Sequence, residues 1–265
     1  MKKRIRKWTL GLLAFVLIVV GTFVGVLLNP GMLYAHQTQF GGFTVYHSGS
    51  LAPEMAEILS ETADRLARSE LYDANWEVDI CLNDGSRYPS LVEQVQGAAF
   101  GFGFYNKVVL LAEVQPARNA AVFNEQRWNL TELLTHEVVH TYQYHFHGFW
   151  GTSPIAGHAN WKWEGYPEYV ARQSADQRNL LANWRRWERH QADPERPWGI
   201  VFADGTVSPA DYYLNWMLTQ YCLEVKDMAY AEWMADTTPK PVWEAELSSW
   251  AACAAVQRGA EVRDN

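Results

Sequence analysis

Two histidines and a glutamate stand at the spacing of a catalytic metal site in the segment His136-Glu137-Val138-Val139-His140. On a helix, residues four apart lie about 40° apart around the axis and about 6 Å apart along it, so both imidazoles can reach one ion. Glu137 follows the first histidine and can reach a water molecule bound to that ion. Because zinc lowers the pKa of such a water to about 7, the pentapeptide predicts two ligands, a general base and hydrolysis.

A helix is predicted around this pentapeptide. Asn129 and Glu132 have the spacing of the N-cap and N3 residues of a capping box, and neither Gly nor Pro interrupts residues 130–146. An apolar stripe gives the helix a face to bury, formed by Leu130, Leu133, Leu134, Val138 and Val139. A buried helix that carries two core histidines and no metal is the alternative interpretation.

A catalytic zinc ion needs a third protein ligand and an open fourth position. The segment Trp163-Glu164-Gly165-Tyr166-Pro167-Glu168-Tyr169 offers a carboxylate downstream of His140. H-E-x-x-H followed by E-G-x-P-E-Y resembles the gluzincins, the thermolysin-like zinc metallopeptidases, over about residues 129–170. The resemblance implies that Zn²⁺ is bound by His136, His140 and Glu164, with Glu137 as the general base.

Many gluzincins also carry an acidic residue four positions after the ligand glutamate, where it contacts a ligand histidine and raises its basicity. Glu168 matches that place, and a solvated helix carboxylate is the alternative. Proline costs about 3 kcal/mol in a helix interior but little in the first turn. Pro167 therefore predicts that the second ligand helix begins between Trp163 and Tyr166 and continues through Ala171.

A peptidase must also stabilise the tetrahedral oxyanion, and each preformed donor contributes about 3–4 kcal/mol. Gluzincins use a Tyr or His beyond the third ligand, without a fixed local motif. Tyr212 and Tyr213, near the start of a predicted helix, are candidates, and His190 is another. A purely structural role is the alternative for each of the three.

A glycine-rich segment, Gly97 to Phe104, precedes the metal motif. Glycines in a strand let another backbone approach, and gluzincins commonly pair an edge strand with the substrate backbone. Residues 97–111 could supply that edge, and a mobile hairpin is the alternative. The loop 148–154 joins the two predicted ligand helices and should rim the cleft, either as a lid or subsite or as an ordinary packed loop.

Hydrophobic periodicity predicts an α+β fold. Strands are expected near 43–47, 76–82 and 108–111, and helices near 53–69, 90–96, 176–190, 212–224 and 243–256. These elements indicate an N-terminal mixed α/β lobe with a small sheet and the active-site helix, then a mostly helical lobe. The zinc cleft is expected between the lobes, a layout that the gluzincin resemblance also implies.

The N-terminus predicts a membrane segment. Five basic residues within positions 2–7 precede an uncharged apolar stretch, residues 8–28, and about 20 such residues span a bilayer. The positive-inside rule then places residues 1–7 in the cytoplasm and the chain after the anchor outside. Residues 29–39 are expected to form a linker and 40–265 the metallopeptidase domain. A signal peptide cleaved near Ala35 is the alternative, although the apolar region of a signal peptide is usually shorter.

The charge distribution limits the classes of molecule that the protein can bind. Five of the 22 basic residues and none of the 30 acidic residues precede position 36, so the remainder is strongly acidic. Nucleic acid is therefore excluded as a partner, because its recognition needs a basic surface.

The three cysteines allow one disulfide. Cys222 and Cys253 are the favoured pair, which leaves Cys81 free, and the absence of C-x-x-C argues against a zinc ribbon.

Two functions remain open at this level. The first is a membrane-anchored zinc metallopeptidase that hydrolyses peptides or proteins outside the cytoplasm. The second is a non-catalytic zinc- or peptide-binding module on a gluzincin-like fold.

Overall fold

The computed structural model of the protein describes residues 2–195 and 197–261. Parts of the predicted basic tail (residues 1–7) and of the predicted domain (residues 40–265) therefore lie outside the described residues. Met1, Arg196 and residues 262–265 lie outside the described set, as do the side chains of residues 2–7, 9–10 and 258–261.

The first element is the long helix α1, Lys2–Leu28. It contains an apolar stretch, Gly11–Leu28, that is long enough to cross a membrane and is not buried against the rest of the protein. A signal sequence near the N-terminus can also be this long and this apolar. The protein thus has an apolar helix of membrane-spanning length near its N-terminus.

Within the described residues, seven strands form one mixed sheet in the order β1-β2-β3-β5-β6-β7, with β4 paired to β5. The strands are β1 His36–Phe40, β2 Phe43–His47, β3 Val78–Asn83, β4 Gly101–Phe104, β5 Lys107–Gln115, β6 Ala120–Phe123 and β7 Gln126–Asn129. The β2–β3 and β3–β5 pairs are parallel and the other pairs are antiparallel. The sheet begins at His36, inside the segment predicted as a linker.

Helices make up most of the remaining structure. After α1 they are α2 Glu54–Leu66, α3 Tyr88–Gln96, α4 Leu130–Gly151, α5 Asn160–Ala171, α6 Leu180–Ala192, α7 Ala210–Gln220, α8 Tyr230–Ala235 and α9 Lys240–Glu261. A short antiparallel pair, β8 Gly199–Val201 and β9 Val207–Pro209, precedes α7. The α+β class with a mixed sheet is confirmed, whereas the division into two lobes stays a prediction.

Helix α4 is the centre of the fold. Every residue from Leu130 to Val139 is buried, and the helix contacts α2, α5 and the strands β4 and β5. A helix that is covered on all sides buries polar side chains as well as apolar ones, and those polar groups must find partners inside the protein.

Besides the linker boundary, two predictions about local structure are wrong. Helix α5 begins at Asn160, so Pro167 lies in its interior and not in its first turn. Cys222 and Cys253 are both free thiols, the first buried and the second exposed, so the predicted disulfide is not formed. Both cysteines lie on C-terminal helical turns, as expected, but helical placement alone does not bring two sulfur atoms within bonding distance.

Candidate metal centre

The N-terminus of α4 forms largely as its sequence predicts. The side chain of Asn129 accepts a hydrogen bond from the backbone N–H of Glu132 at 3.0 Å, so Asn129 is the N-cap. Glu132 does not return the bond that a capping box requires. Its buried carboxylate instead accepts from Arg172 and Gln177, so the predicted capping box is only half correct.

The three predicted ligand side chains converge on one point. Nε2 of His136 lies 3.1 Å from Nε2 of His140. Oε2 of Glu164 lies 3.4 Å from each of these nitrogen atoms. The histidines come from successive turns of α4 and the carboxylate from α5, and together they form a group that could hold a metal ion.

Glu168 contacts the far side of the first histidine. Its Oε1 lies 3.0 Å from Nδ1 of His136, and neither atom has another partner among the described residues. Glu168 is fully buried, which excludes the alternative of a solvated carboxylate. A carboxylate in this position fixes the imidazole ring with Nε2 directed at the ligand cluster.

Glu168 is held in turn by Arg172, which sequence analysis missed. Nε of Arg172 donates to Oε2 of Glu168 at 2.5 Å, and Nη1 donates to Glu132 at 2.7 Å. The guanidinium also lies over the rings of Phe202 and Trp216. Burial acts to raise the pKa of Glu168, but the charge of Arg172 and the contact with His136 together outweigh it and lower that pKa. One arginine therefore compensates two buried carboxylates.

Gln143 contacts the second histidine, His140, as Glu168 contacts the first, and sequence analysis missed this residue too. Its Oε1 accepts from Nδ1 of His140 at 2.8 Å. Its Nε2 donates to the backbone carbonyl of Trp163 at 3.1 Å. In an α-helix that carbonyl would accept from residue 167, but Pro167 has no N–H. An amide three residues after His140 and a proline four residues after Trp163 were the signals available in the sequence.

Strand β4 lies directly on the motif. A Cβ atom at Gly103 would lie 2.0 Å from the carbonyl oxygen of Glu137 and 2.9 Å from Cβ of His140. The glycine is thus required for contact between strand and helix, as the sequence indicated. Within the described residues β4 pairs only with β5, so no strand covers its other edge. Burial raises the pKa of Glu137, which faces this edge.

The two tyrosine candidates, Tyr212 and Tyr213, point to different parts of the protein. Tyr212 lines the cavity at the ligand cluster, and its ring lies 5.8 Å from that of His136. Burial and then the negative charge of Glu164 raise the pKa of Tyr212, so its hydroxyl keeps its proton. Tyr213 points away and donates to the carbonyl of Asn183 at 3.2 Å.

The structure therefore brings neither Tyr213 nor His190 to the ligand cluster. Adjacent residues on a helix differ by about 100° around its axis, so only one of two neighbouring tyrosines can face the cluster of His136, His140 and Glu164. His190 lies on α6 beside Trp187, with ring centroids 5.7 Å apart, and does not line the cavities at the cluster.

Three cavities meet at the ligand cluster. The smallest, about 200 Å³, lies between β4 and the ligands. A second, of about 350 Å³, extends past Tyr212 to Trp128 and Trp198. The third, of about 650 Å³, extends from His140 to Leu28 at the end of α1. The ligand cluster is therefore accessible from two sides.

No protein-family model matches the chain, and no curated protein matches it. The geometry and chemistry of this site are therefore what indicate its function.

Proposed function

We propose that this protein is a membrane-anchored zinc metallopeptidase of the gluzincin type, acting on peptides or proteins outside the cytoplasm. The observation that carries the proposal is the triangle of ligand atoms. Zinc holds nitrogen and oxygen ligands at about 2.0–2.2 Å, which in a tetrahedron places them roughly 3.4 Å apart. The distances of 3.1, 3.4 and 3.4 Å among His136, His140 and Glu164 agree with that value.

The donor types favour zinc over the other common divalent ions. Ca²⁺ takes six to eight oxygen ligands at longer distances, and Mg²⁺ keeps an octahedral shell of oxygen atoms. Two imidazoles and one carboxylate suit zinc and related transition metals. Both imidazoles also have an acceptor at Nδ1, Glu168 for His136 and Gln143 for His140, as metal-binding histidines usually do.

The number of ligands favours catalysis over a structural role. Structural zinc sites are closed by four protein ligands, whereas catalytic sites have three and an open position. Among the described residues the cluster consists of His136, His140 and Glu164 alone. The open position faces a cavity lined by Glu137 and Tyr212.

The side chains around that position match the needs of peptide hydrolysis. Zinc, when bound, supplies a Lewis acid that activates water and polarises a carbonyl. The raised pKa of Glu137 suits a base that takes a proton and delivers it to the leaving amine. Tyr212 keeps its proton and can donate to the oxyanion. The open edge of β4 offers backbone groups to an extended peptide.

The proposed location follows from α1. Its basic end would lie in the cytoplasm by the positive-inside rule, which places the ligand cluster outside. An anchor is favoured over a cleaved signal because the apolar stretch is longer than that of most signal peptides.

The deciding experiment combines metal analysis with turnover of a quenched-peptide library by the full-length protein in detergent. We expect one zinc per chain and turnover that a chelator abolishes and zinc restores. Glu137→Gln should keep the zinc and lose turnover by about 10²–10⁴-fold, as for loss of a general base. The exposed Glu113 on β5 provides a matched control, since Glu113→Gln should change neither quantity.

Two outcomes would reject the proposal. Wild-type turnover by Glu137→Gln would remove this residue from its role, and unchanged zinc content in His140→Ala would reject the ligand set. Stoichiometric zinc together with peptide binding, but no cleavage of any peptide, would instead indicate a non-catalytic binding module.

A further inference from the structure

The largest cavity at the ligand cluster leads towards the membrane helix. It has a volume of about 650 Å³ and is lined at one end by the metal ligand His140 and at the other by Leu28, the last residue of α1. Five aromatic residues contribute to its walls, namely Phe104, Tyr105, Tyr144, Phe149 and Trp163. This volume falls within the range of binding pockets for organic ligands.

The end of α1 is held in place against the sheet domain. The hydroxyl of Tyr88 donates to the carbonyl of Leu27 at 2.6 Å, and the hydroxyl of Tyr34 donates to the carbonyl of Leu82 at 2.8 Å. Leu27 packs on a buried cluster that includes both tyrosines. The orientation of the cavity relative to the membrane segment is therefore set by contacts and not by a free linker.

The same contacts place the cavity at the membrane surface. The apolar stretch of residues 8–28 is about 30 Å long as a helix, which matches the hydrocarbon thickness of a bilayer. If α1 spans, Leu28 lies at the outer boundary of the hydrocarbon. A cavity that has Leu28 in its wall then opens at the level of the lipid headgroups.

Exposed aromatic side chains surround this opening. Tyr105 and Phe149 line the cavity and are 48% and 52% exposed, and the neighbouring Trp150 is 79% exposed. Soluble proteins seldom leave several large apolar side chains together in water, whereas Trp and Tyr are enriched where membrane proteins meet the headgroups. Lipid contact would account for these three exposures.

We infer that the substrate is a polypeptide anchored in the same membrane. Its first residues outside the bilayer enter the cavity beside Leu28 and reach the ligand cluster from the membrane side. The inference rests on the proposed peptidase function. A polypeptide fits better than a lipid acyl chain because the cavity ends at Gly103 on β4, whose open edge offers backbone hydrogen bonds that only a peptide can use.

The test uses the full-length protein reconstituted into phosphatidylcholine vesicles, with quenched fluorescent peptides carried on a common transmembrane anchor. One reporter sequence is placed after a Gly-Ser spacer of about 4 or about 20 residues, which extends to roughly 13 or 66 Å. Because the anchor is the same, confinement to the vesicle raises the local concentration of both peptides. We expect the short-spacer peptide to be cleaved at least about tenfold faster.

A substitution in the cavity wall tests the route directly. Phe149→Ser removes an aromatic surface from the cavity wall without changing the ligand set. We expect it to reduce the short-spacer preference by about tenfold. Tyr72→Ser is the matched control, because Tyr72 is an exposed aromatic residue that does not line the cavity. It should leave the preference unchanged.

The outcomes separate this inference from the proposed function. Equal cleavage of both peptides, or faster cleavage of the long-spacer peptide, would overturn the membrane route while leaving the peptidase intact. The same result is expected if lipid chains fill the cavity. A short-spacer preference that Phe149→Ser does not reduce would also overturn it. Failure of the zinc-loaded protein to cleave either peptide, or the free reporter peptide, would reject the peptidase itself.

Discussion

The side-chain amide of Gln143 donates to the backbone carbonyl of Trp163 at 3.1 Å. This carbonyl lies four residues before Pro167, so no backbone N–H is available to it within α5. The same amide accepts from Nδ1 of His140 at 2.8 Å. One buried side chain thus compensates for the missing N–H in the helix that carries Glu164 and also orients His140.

A double-mutant cycle should separate these two roles of Gln143. We expect Gln143→Leu to lower the free energy of unfolding by about 1–3 kcal/mol, because the carbonyl of Trp163 is left buried without a donor. In a Pro167→Ala background residue 167 supplies an N–H, so the same substitution should cost less. Denaturant titration of the four metal-free proteins measures both costs.

Zinc affinity should behave differently in that cycle. Loss of the acceptor at Nδ1 of His140 is expected to weaken zinc binding by about 10–100-fold in either background. Two results would contradict this double role of Gln143. One is an equal loss of unfolding free energy with and without Pro167, and the other is an unchanged zinc affinity in Gln143→Leu.

Tyr212 and Tyr213 are adjacent in sequence and provide a matched pair. Tyr212→Phe should keep zinc and stability near those of the wild type but reduce kcat by about 10²–10³-fold, since it removes one donor to the oxyanion. Tyr213→Phe should leave kcat unchanged and lower stability by about 1 kcal/mol, through loss of its bond to Asn183. Steady-state kinetics and thermal unfolding measure the two effects, and similar kinetics in both variants would argue against Tyr212.

Gly103→Ala should disturb the contact between β4 and α4. The added methyl group would overlap the carbonyl oxygen of Glu137, so strand and helix must separate. We expect a loss of about 1–3 kcal/mol in stability together with weakened turnover. Gly42→Ala is the control, because the nearest atom would lie 3.9 Å from its Cβ, an ordinary contact. Equal stability of the two variants would show that β4 is free to move.

Arg172→Met should be among the most damaging substitutions outside the ligand set. It leaves the buried carboxylate of Glu168 without its cation, and Glu132 with only the more distant Arg65 at 3.9 Å. Breaking a buried ion pair in this way typically costs about 3–5 kcal/mol. Zinc affinity should fall as well, because Glu168 loses the partner that orients it against His136. The exposed Arg178 gives a control, and Arg178→Met should change stability by no more than about 0.5 kcal/mol. Similar unfolding curves for the two variants would exclude this role.

Zinc affinity should rise with pH. In the metal-free protein burial acts to lower the pKa of His136, but contacts with Glu164 and Glu168 outweigh it and raise that pKa to about 10. Zinc binds neutral imidazole, so below this pKa each ion displaces one proton. The apparent affinity should therefore increase by about tenfold per pH unit between roughly pH 6 and 9.

Competition with a chromophoric chelator at several pH values measures this slope. Glu168→Gln removes one of the charges that raise the pKa of His136, so its slope should flatten at a lower pH than in the wild type. A slope near zero in the wild-type protein would show that His136 is already neutral before the metal binds.

Local patterns were enough to predict α4, its N-cap Asn129 and the positions of both histidines. Within one helix the spacing of residues determines which side chains share a face, and no distant contact is needed. The same reasoning predicted several strands and the apolar α1. It misplaced the start of α5 because Pro167 is tolerated in the interior through a side chain from another helix.

Tertiary packing determined the contacts between side chains on different helices and strands. Glu164 and Glu168 reach the histidines only because α5 packs against α4, and Arg172 compensates Glu168 and Glu132 across that contact. The rotation of α7 about its axis directs Tyr212, and not Tyr213, towards the ligand cluster. Such choices depend on long-range contacts between buried surfaces, which the order of residues along a single segment does not encode.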